Sequence, residues 1–328
     1  MSKLRLSLAC WNYDRTRGLM DGSVQPDAID ITYVNLPVEE TFFRMLRHRE
    51  FDVAEMSLSS YTVSMFRDPR PFIAIPIFPS RFFRHGSIYI NADAGIRAPQ
   101  DLIGKRVGTP EFQMTAPVWI RGILSEHFGV PVDSVTYLTG GEEEPGRDEK
   151  IKLDLPANIR VQPIGPAQTL SAMLASGDID ALHTARMPST FDGGRVKRLF
   201  PDFRDVEQQY FRDTGIFPIM HTIVIRRDVY EQNRWIAQSL FKAFVEAQRR
   251  TYEDLHVTAA LKAMLPWLTD HVEETRALMG DDYWKYGFSR NRATLETFLR
   301  YHHEQGLSKR LLTPEELFAP EAMESFRI

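Results

Sequence analysis

The sequence predicts an α/β fold of two lobes, and three observations carry that prediction. The chain has 328 residues, more than one hydrophobic core usually organises, so two units of ordinary domain size are expected. Its first sixty residues alternate strand-like and helix-like patterns in βαβα order, the pattern of a parallel sheet covered by helices. A second strand-to-helix junction of the same kind follows at residues 106–127, after a turn rich in arginine.

Taken in order, residues 4–10 read as a strand, 14–21 as a short helix, 29–35 as a second strand and 38–48 as an amphipathic helix. A third strand, 52–56, runs into Ser57, Leu58, Ser59, Ser60 and Tyr61, a hydroxyl-rich start for a helix reaching about residue 66. In open α/β sheets ligands lie outside the carboxyl ends of the strands, which singles out residues 11–14 and 57–61. The apolar run 72–78, the basic turn 79–86 and the strand 87–90 read as a crossover into the second lobe. There, 101–110 gives a short helix, a turn and a strand, and Thr115 begins a helix through His127. Residues 140–158, rich in Gly and Glu, read as an exposed excursion. A helix over 168–176, a strand over 179–182 and a returning strand over 216–225 follow, and long helices cover 234–255 and 292–303. The lobes are therefore expected to be 1–78 with 222–328, and 79–221, with no internal repeat.

Composition narrows the function classes. Hydrophobic residues make up 43% and charged residues 26%, an ordinary globular balance. A net charge of -4 lacks the Lys and Arg excess of a nucleic-acid binder. Cys10 is the sole cysteine, which excludes an intramolecular disulfide, a cysteine zinc cluster and a CxxC redox pair. Residues 1–11 alternate like a strand and lack the apolar run of a secretory signal, so a cytoplasmic protein is expected. No stretch approaches the roughly 18 apolar residues that span a bilayer, so no membrane role is expected.

Six runs carry a resemblance: residues 10–17 (CWNYDRTR), 51–61 (FDVAEMSLSSY), 78–85 (FPSRFFRH), 110–116 (PEFQMTA), 217–221 (FPIMH) and 282–287 (DYWKYG). Over essentially its full length the chain resembles the 4,5-dihydroxyphthalate decarboxylase family. Its layout looks like the type II periplasmic-binding-protein-like fold, with two crossovers and a helical C-terminal region. The runs 101–107 and 177–181 are common in solute-binding proteins and point only to that fold, whereas the arginine turn, Phe-Gln-Met-Thr and Met-His are narrower. The resemblance implies loss of carbon dioxide from 4,5-dihydroxyphthalate to give protocatechuate, a step of phthalate degradation, with no organic cofactor.

Such a substrate sets chemical demands. Its two carboxylates call for cations with directed donors, and Arg81 and Arg84 are the first candidates because the planar guanidinium fork matches a carboxylate. The alternative places both on the solvent side of a hinge; Arg186 is a weaker third cation. Losing carbon dioxide from a ring needs a proton at the carbon that bears the carboxylate, hence a general acid. His85 and His221 are the leading acid/base candidates, each equally readable as a hydrogen-bonded structural histidine. Asp14 and Glu55, near strand ends, are candidates to engage the catechol hydroxyls or a cation, and Glu55 is equally readable as an interlobe salt-bridge partner. Ser57, Ser59, Thr109 and Thr115 are neutral donors that also fit as helix caps, and Trp11 and Tyr13 are candidates to stack on the ring. A divalent metal stays open, since His85, His183, His221, Glu55 and Asp14 are suitable ligand types without a recognised spacing. His302 and His303, about 100° apart on a helix, are expected at the surface. Tyr283, Trp284 and Tyr286 are expected to pack the C-terminal helices or a subunit contact, and a homo-oligomer is expected. The competing reading is a non-catalytic binding or sensor protein for an aromatic carboxylate, which the fold alone would favour.

Overall fold

A computed structural model describes residues 3–323. In chain order its strands are β1 (Leu4–Ala9), β2 (Ile29–Val34), β3 (Val53–Ser57), β4 (Phe72–Ile75), β5 (Ile88–Asn91), β6 (Arg106–Thr109), β7 (Thr136–Thr139), β8 (Arg160–Pro163), β9 (Ala181–His183), β10 (Val196–Arg198) and β11 (His221–Arg226). The helices are α1 (Arg17–Met20), α2 (Val38–His48), α3 (Leu58–Ser64), α4 (Thr115–Phe128), α5 (Leu170–Ser176), α6 (Phe203–Thr214), α7 (Arg227–Gln232), α8 (Ile236–Leu255), α9 (Leu268–Met279), α10 (Arg292–Glu304) and α11 (Pro320–Met323). Two compact units result. The first takes the described chain up to Arg81, Ile219–Leu295 and the chain from Thr313 onward; the second takes Phe82–Pro218 and Glu296–Leu312. His221, which the sequence reading put at the end of the second lobe, thus lies in the first unit with Glu55.

The first unit is built on one sheet in the order β2-β1-β3-β11-β4. β1 runs parallel to β2 and β3, and β11 runs antiparallel to β3 and β4. Because the chain leaves β1 for a neighbour on one side and returns from β2 to the other side, the carboxyl ends of β1 and β3 form a topological switch point. All five residues of β3 are buried, and Glu55 is its one ionisable member. Ser57 ends β3 and caps α3, its Oγ accepting from the Ser60 N–H at 3.4 Å. In α2, Phe42, Met45 and Leu46 form a buried stripe, while Glu39 and Glu40 in the first turn and Arg47 and His48 in the last match the helix dipole. α8 buries Ile236, Leu240, Phe244 and Ala247 at helical spacing. The chain after α10 returns to the sheet, with the Ala319 N–H donating to the Ala74 carbonyl at 2.9 Å.

The second unit has a six-stranded sheet in the order β10-β5-β9-β6-β7-β8. β9, β6, β7 and β8 are parallel, and β5 is antiparallel to both β9 and β10. Leu170, Leu174, Ile179 and Leu182 are among the side chains that fill its core. Residues 296–312 belong to this unit, where the sequence reading had kept the whole C-terminal region with the first lobe. Trp119 of α4 packs on Phe298 and Tyr301 with ring centroids 5.6 and 5.7 Å apart. Gly122 is what admits Tyr301, since a Cβ there would lie 2.0 Å from the ring.

Three local expectations are corrected. The returning strand begins at His221 rather than residue 216, because Pro218 has no N–H to give to a ladder. The segment 140–158 is irregular but not simply exposed: Gly140, Gly141 and Glu142 are buried, and Arg147 and Lys150 pair with the buried carboxylate of Glu111. His302 is fully buried instead of surface-exposed, with Nδ1 bonded to the Ser308 hydroxyl. No helix among the described residues is long and apolar enough to cross a membrane.

Candidate active site

Glu55 is the centre of the polar constellation in the first unit. Its carboxylate is wholly buried, a position that costs several kcal/mol of lost hydration unless donors surround it. Four are present: His221 Nδ1 lies 2.6 Å from Oε1, the Tyr13 hydroxyl donates to Oε1 at 2.7 Å, the Trp11 N–H donates to Oε2 at 3.1 Å, and the Cys10 thiol lies 3.5 Å from Oε2. Burial alone would raise the Glu55 pKa, but the hydrogen bond and charge of His221, then Tyr13 and the Trp11 amide, hold it below its ordinary 4.5. The carboxylate is therefore ionised at neutral pH. Burial and the nearby Glu55 charge push Tyr13 and Cys10 in the opposite direction, so both stay protonated donors.

Local structure explains how these groups meet. Cys10, Trp11 and Tyr13 follow directly from β1, while Glu55 lies one strand over in β3. His221 starts β11, antiparallel to β3, and its ring is braced edge-on by Phe42 of α2 with centroids 4.8 Å apart. The Tyr33 hydroxyl donates to the Trp11 carbonyl at 3.1 Å and fixes the turn. Glu55 holds the Nδ1 side of His221, which leaves Nε2 as the nitrogen available to a bound molecule.

Of the residues proposed from sequence, Glu55, His221, Tyr13 and the backbone of Trp11 are brought together. Asp14 is exposed and bonds Arg15 at 2.9 Å rather than joining Glu55. Ser57 is an N-cap, and Ser59 is completely buried in α3. Arg81 is 5% exposed, with Nη2 donating to the Lys285 carbonyl at 2.7 Å and also to Asn291 Oδ1. Burial lowers its pKa to about 9. Its guanidinium braces the segment leading into α10.

The remaining candidates lie in the second unit. Arg84 is buried, with Nη1 donating to the Ala185 carbonyl at 3.3 Å and the guanidinium over Phe82. His85 is enclosed by Phe128, Phe200 and Tyr210, and burial followed by the nearby His127 lowers its pKa to about 4. Glu207 approaches His85 Nδ1 only to 4.0 Å, too far for a hydrogen bond, and burial raises Glu207 to about 7. Both groups are therefore driven toward their neutral forms, and His85 is a core residue. The Thr109 hydroxyl is turned onto the Glu111 carbonyl at 3.3 Å, Thr115 is buried at the start of α4, and Arg186 is exposed in the loop after β9. His183 is fully buried, and among the described residues neither ring nitrogen has a hydrogen-bond partner. Among the described residues, the metal-ligand types converge in threes only at exposed Asp270, His271 and Glu274 on α9.

Three participants were not singled out from sequence: Cys10, Tyr33 and Arg15. Arg15 lies between two rings, 4.2 Å from the centroid of Tyr13 and 4.1 Å from that of Trp284. The run CWNYDRTR carried the signal, because a strand end followed by aromatic, acidic and basic residues is a ligand-facing turn in this class of sheet.

Comparison with known proteins agrees with the fold and narrows the chemistry. The chain matches no family model. It is 44% identical to a 4,5-dihydroxyphthalate decarboxylase of Comamonas testosteroni over 330 aligned residues, all of both chains. It is 48% identical to one of Pseudomonas putida over 214 residues, 65% of this chain and 83% of that protein. Among solved structures it resembles the periplasmic aliphatic sulphonate-binding protein SsuA of Escherichia coli, with a TM-score of 0.52 at 12% identity over 98% of this chain and 99% of that one. The alkanesulfonate-binding protein of Xanthomonas axonopodis pv. citri gives 0.50 at 12% identity, covering 98% of each chain. These two share the type II periplasmic-binding-protein-like fold and nothing finer. Full-length identity to the Comamonas protein is of another order, and the chain belongs to the 4,5-dihydroxyphthalate decarboxylase family.

Proposed function

We propose that this chain is a carboxy-lyase that removes carbon dioxide from 4,5-dihydroxyphthalate in phthalate catabolism, leaving protocatechuate. The observation that carries the reading is the 44% identity along the whole chain to a decarboxylase of that substrate. The Glu55–His221 pair supports it with a group able to move a proton. The two carboxylates of the substrate are related by its symmetry, so either one can leave. Each has a hydroxyl para to it, which pushes electrons into the ring as a proton arrives at the carbon bearing the carboxylate. In this scheme His221 Nε2 delivers that proton and the carbon–carbon bond breaks. Its electron pair returns to the ring, carbon dioxide leaves, and solvent reprotonates the histidine. Ionised Glu55 keeps a proton on Nδ1 throughout, and Tyr13 and the Trp11 amide hold Glu55 in place.

The scheme calls for no organic cofactor, and EDTA-treated protein is expected to turn over. Activity restored only by added divalent ions would assign a metal the role of activating the hydroxyl. Exposed Trp235 and Trp267 support the homo-oligomer included in this reading, and light scattering that finds a monomer would remove it. A cytoplasmic location is checked by cell fractionation. The test of the reaction itself is anaerobic incubation with 4,5-dihydroxyphthalate, following carbon dioxide and protocatechuate in wild type and His221→Asn. Turnover lost in the variant supports the reading; tight binding without product, with or without metal, would instead make the chain a binding or sensor protein.

A further inference from the structure

Arg15 is a cation held by the rings of Tyr13 and Trp284. Tyr13 and Trp284 flank its guanidinium with ring centroids 4.2 and 4.1 Å away. Nε donates to the Pro79 carbonyl at 2.6 Å, and Nη1 donates one proton to Asp14 Oδ1 at 2.9 Å. The outer edge, made of the second Nη1 proton and Nη2, has no hydrogen bond among the described residues, and the side chain is 15% exposed. Tyr13, which flanks the guanidinium, also gives its hydroxyl to Glu55 at 2.7 Å. One side chain therefore links the cation to the Glu55–His221 pair.

We propose that Arg15 holds the carboxylate that the substrate retains, presenting the outer edge as two parallel N–H donors. The inference rests on the decarboxylase reading for which ring is bound. Three arguments support it. A substrate with two negative charges is repelled by ionised Glu55, and a fixed cation joined to that carboxylate through Tyr13 offsets the repulsion. A guanidinium already flanked by rings and anchored at Nε loses little freedom when it binds, which a lysine ammonium cannot match. A departing carboxylate becomes neutral carbon dioxide, so an ion pair to it would stabilise the ground state more than the transition state. The productive place for Arg15 is therefore the carboxylate that stays. Arg81, the buried arginine of this unit among the described residues, already donates to Lys285 and Asn291.

Phthalate is the probe, because it has both carboxylates and lacks the hydroxyls that drive loss of carbon dioxide. Its affinity is measured by calorimetry for wild type, Arg15→Gln and Arg15→Lys, with catechol as the carboxylate-free control and turnover of 4,5-dihydroxyphthalate alongside. Losing a charge-assisted pair is expected to weaken phthalate binding about 10- to 100-fold in Arg15→Gln, and less in Arg15→Lys. Melting temperatures and catechol binding are expected to stay near wild type, and KM to rise more than kcat falls. Unchanged phthalate affinity in both variants, no phthalate binding by wild type, or equal losses for phthalate and catechol would overturn the proposal. Arg15-dependent phthalate binding by a wild type that makes no protocatechuate keeps Arg15 and removes the decarboxylase reading. Turnover with Arg15-independent binding does the reverse.

Discussion

His221 and Glu55 are diagonal neighbours on one face of the β11–β3 pair. The register sets His221 opposite Ser57 and Ile223 opposite Glu55, yet Nδ1 and Oε1 close to 2.6 Å. Long side chains on one face of an antiparallel pair reach across such a diagonal. Here the reach places an ionised carboxylate against an imidazole at the rim of the sheet.

The dyad predicts a catalytic defect with the fold kept. Glu55→Gln preserves shape and keeps one acceptor oxygen, enough for either Tyr13 or the Trp11 amide but not both, and it removes the charge that holds the Nδ1 proton. Turnover is expected to fall about 10²- to 10⁴-fold, with an unchanged circular dichroism spectrum. Steady-state rates near wild type would remove Glu55 from the reaction.

The same residue predicts how stability responds to acid. The folded-state pKa of Glu55 lies below 4.5, so the unfolded chain takes up the proton first. Its contribution to stability is complete above 4.5 and is lost as pH falls through the folded value. Urea unfolding from pH 7 downward should show the gap between wild type and Glu55→Gln shrinking below pH 4.5; a constant gap would contradict it.

For His85 the prediction is structural. Enclosed by Phe128, Phe200 and Tyr210 and shifted from 6.5 to about 4, the ring is neutral in the folded protein. Its contribution is present above pH 6.5 and is lost as pH falls from there toward 4, because only the unfolded chain accepts the proton over that window. His85→Leu should keep turnover near wild type and abolish this part of the acid sensitivity. Loss of turnover at wild-type stability would return His85 to the chemistry.

Glu111 predicts a loosened loop. Its buried carboxylate receives Arg147 and Lys150, which themselves retain some exposure and can turn to water when it is removed. Glu111→Gln is therefore expected to cost only about 1–3 kcal/mol of stability while exposing the chain around 143–150 to protease. Unaltered cleavage kinetics there would show that the loop is held by other contacts.

Sequence by itself determined the class of fold, the strand ends that form the site, and the family. Periodicity fixes which faces are apolar, and the order of the elements dictates a switch point beside β1 and β3. It also pointed to Glu55, His221 and Tyr13, because polar residues at strand ends in a sheet of this order face the ligand side. Tertiary structure decided which of the charged residues are available. Arg81, Arg84 and His85 stand in the most distinctive turn of the sequence, yet their polar atoms go to backbone carbonyls, an asparagine or an aromatic enclosure. Neither composition nor spacing reports which partner a buried cation will find. Arg15 shows the converse: its neighbour Trp284 lies far along the chain, and only folding brings that ring to its guanidinium. Local pattern sets the elements, whereas the partners of a polar side chain come from long-range packing, where the cost of burying an unpaired charge selects the arrangement.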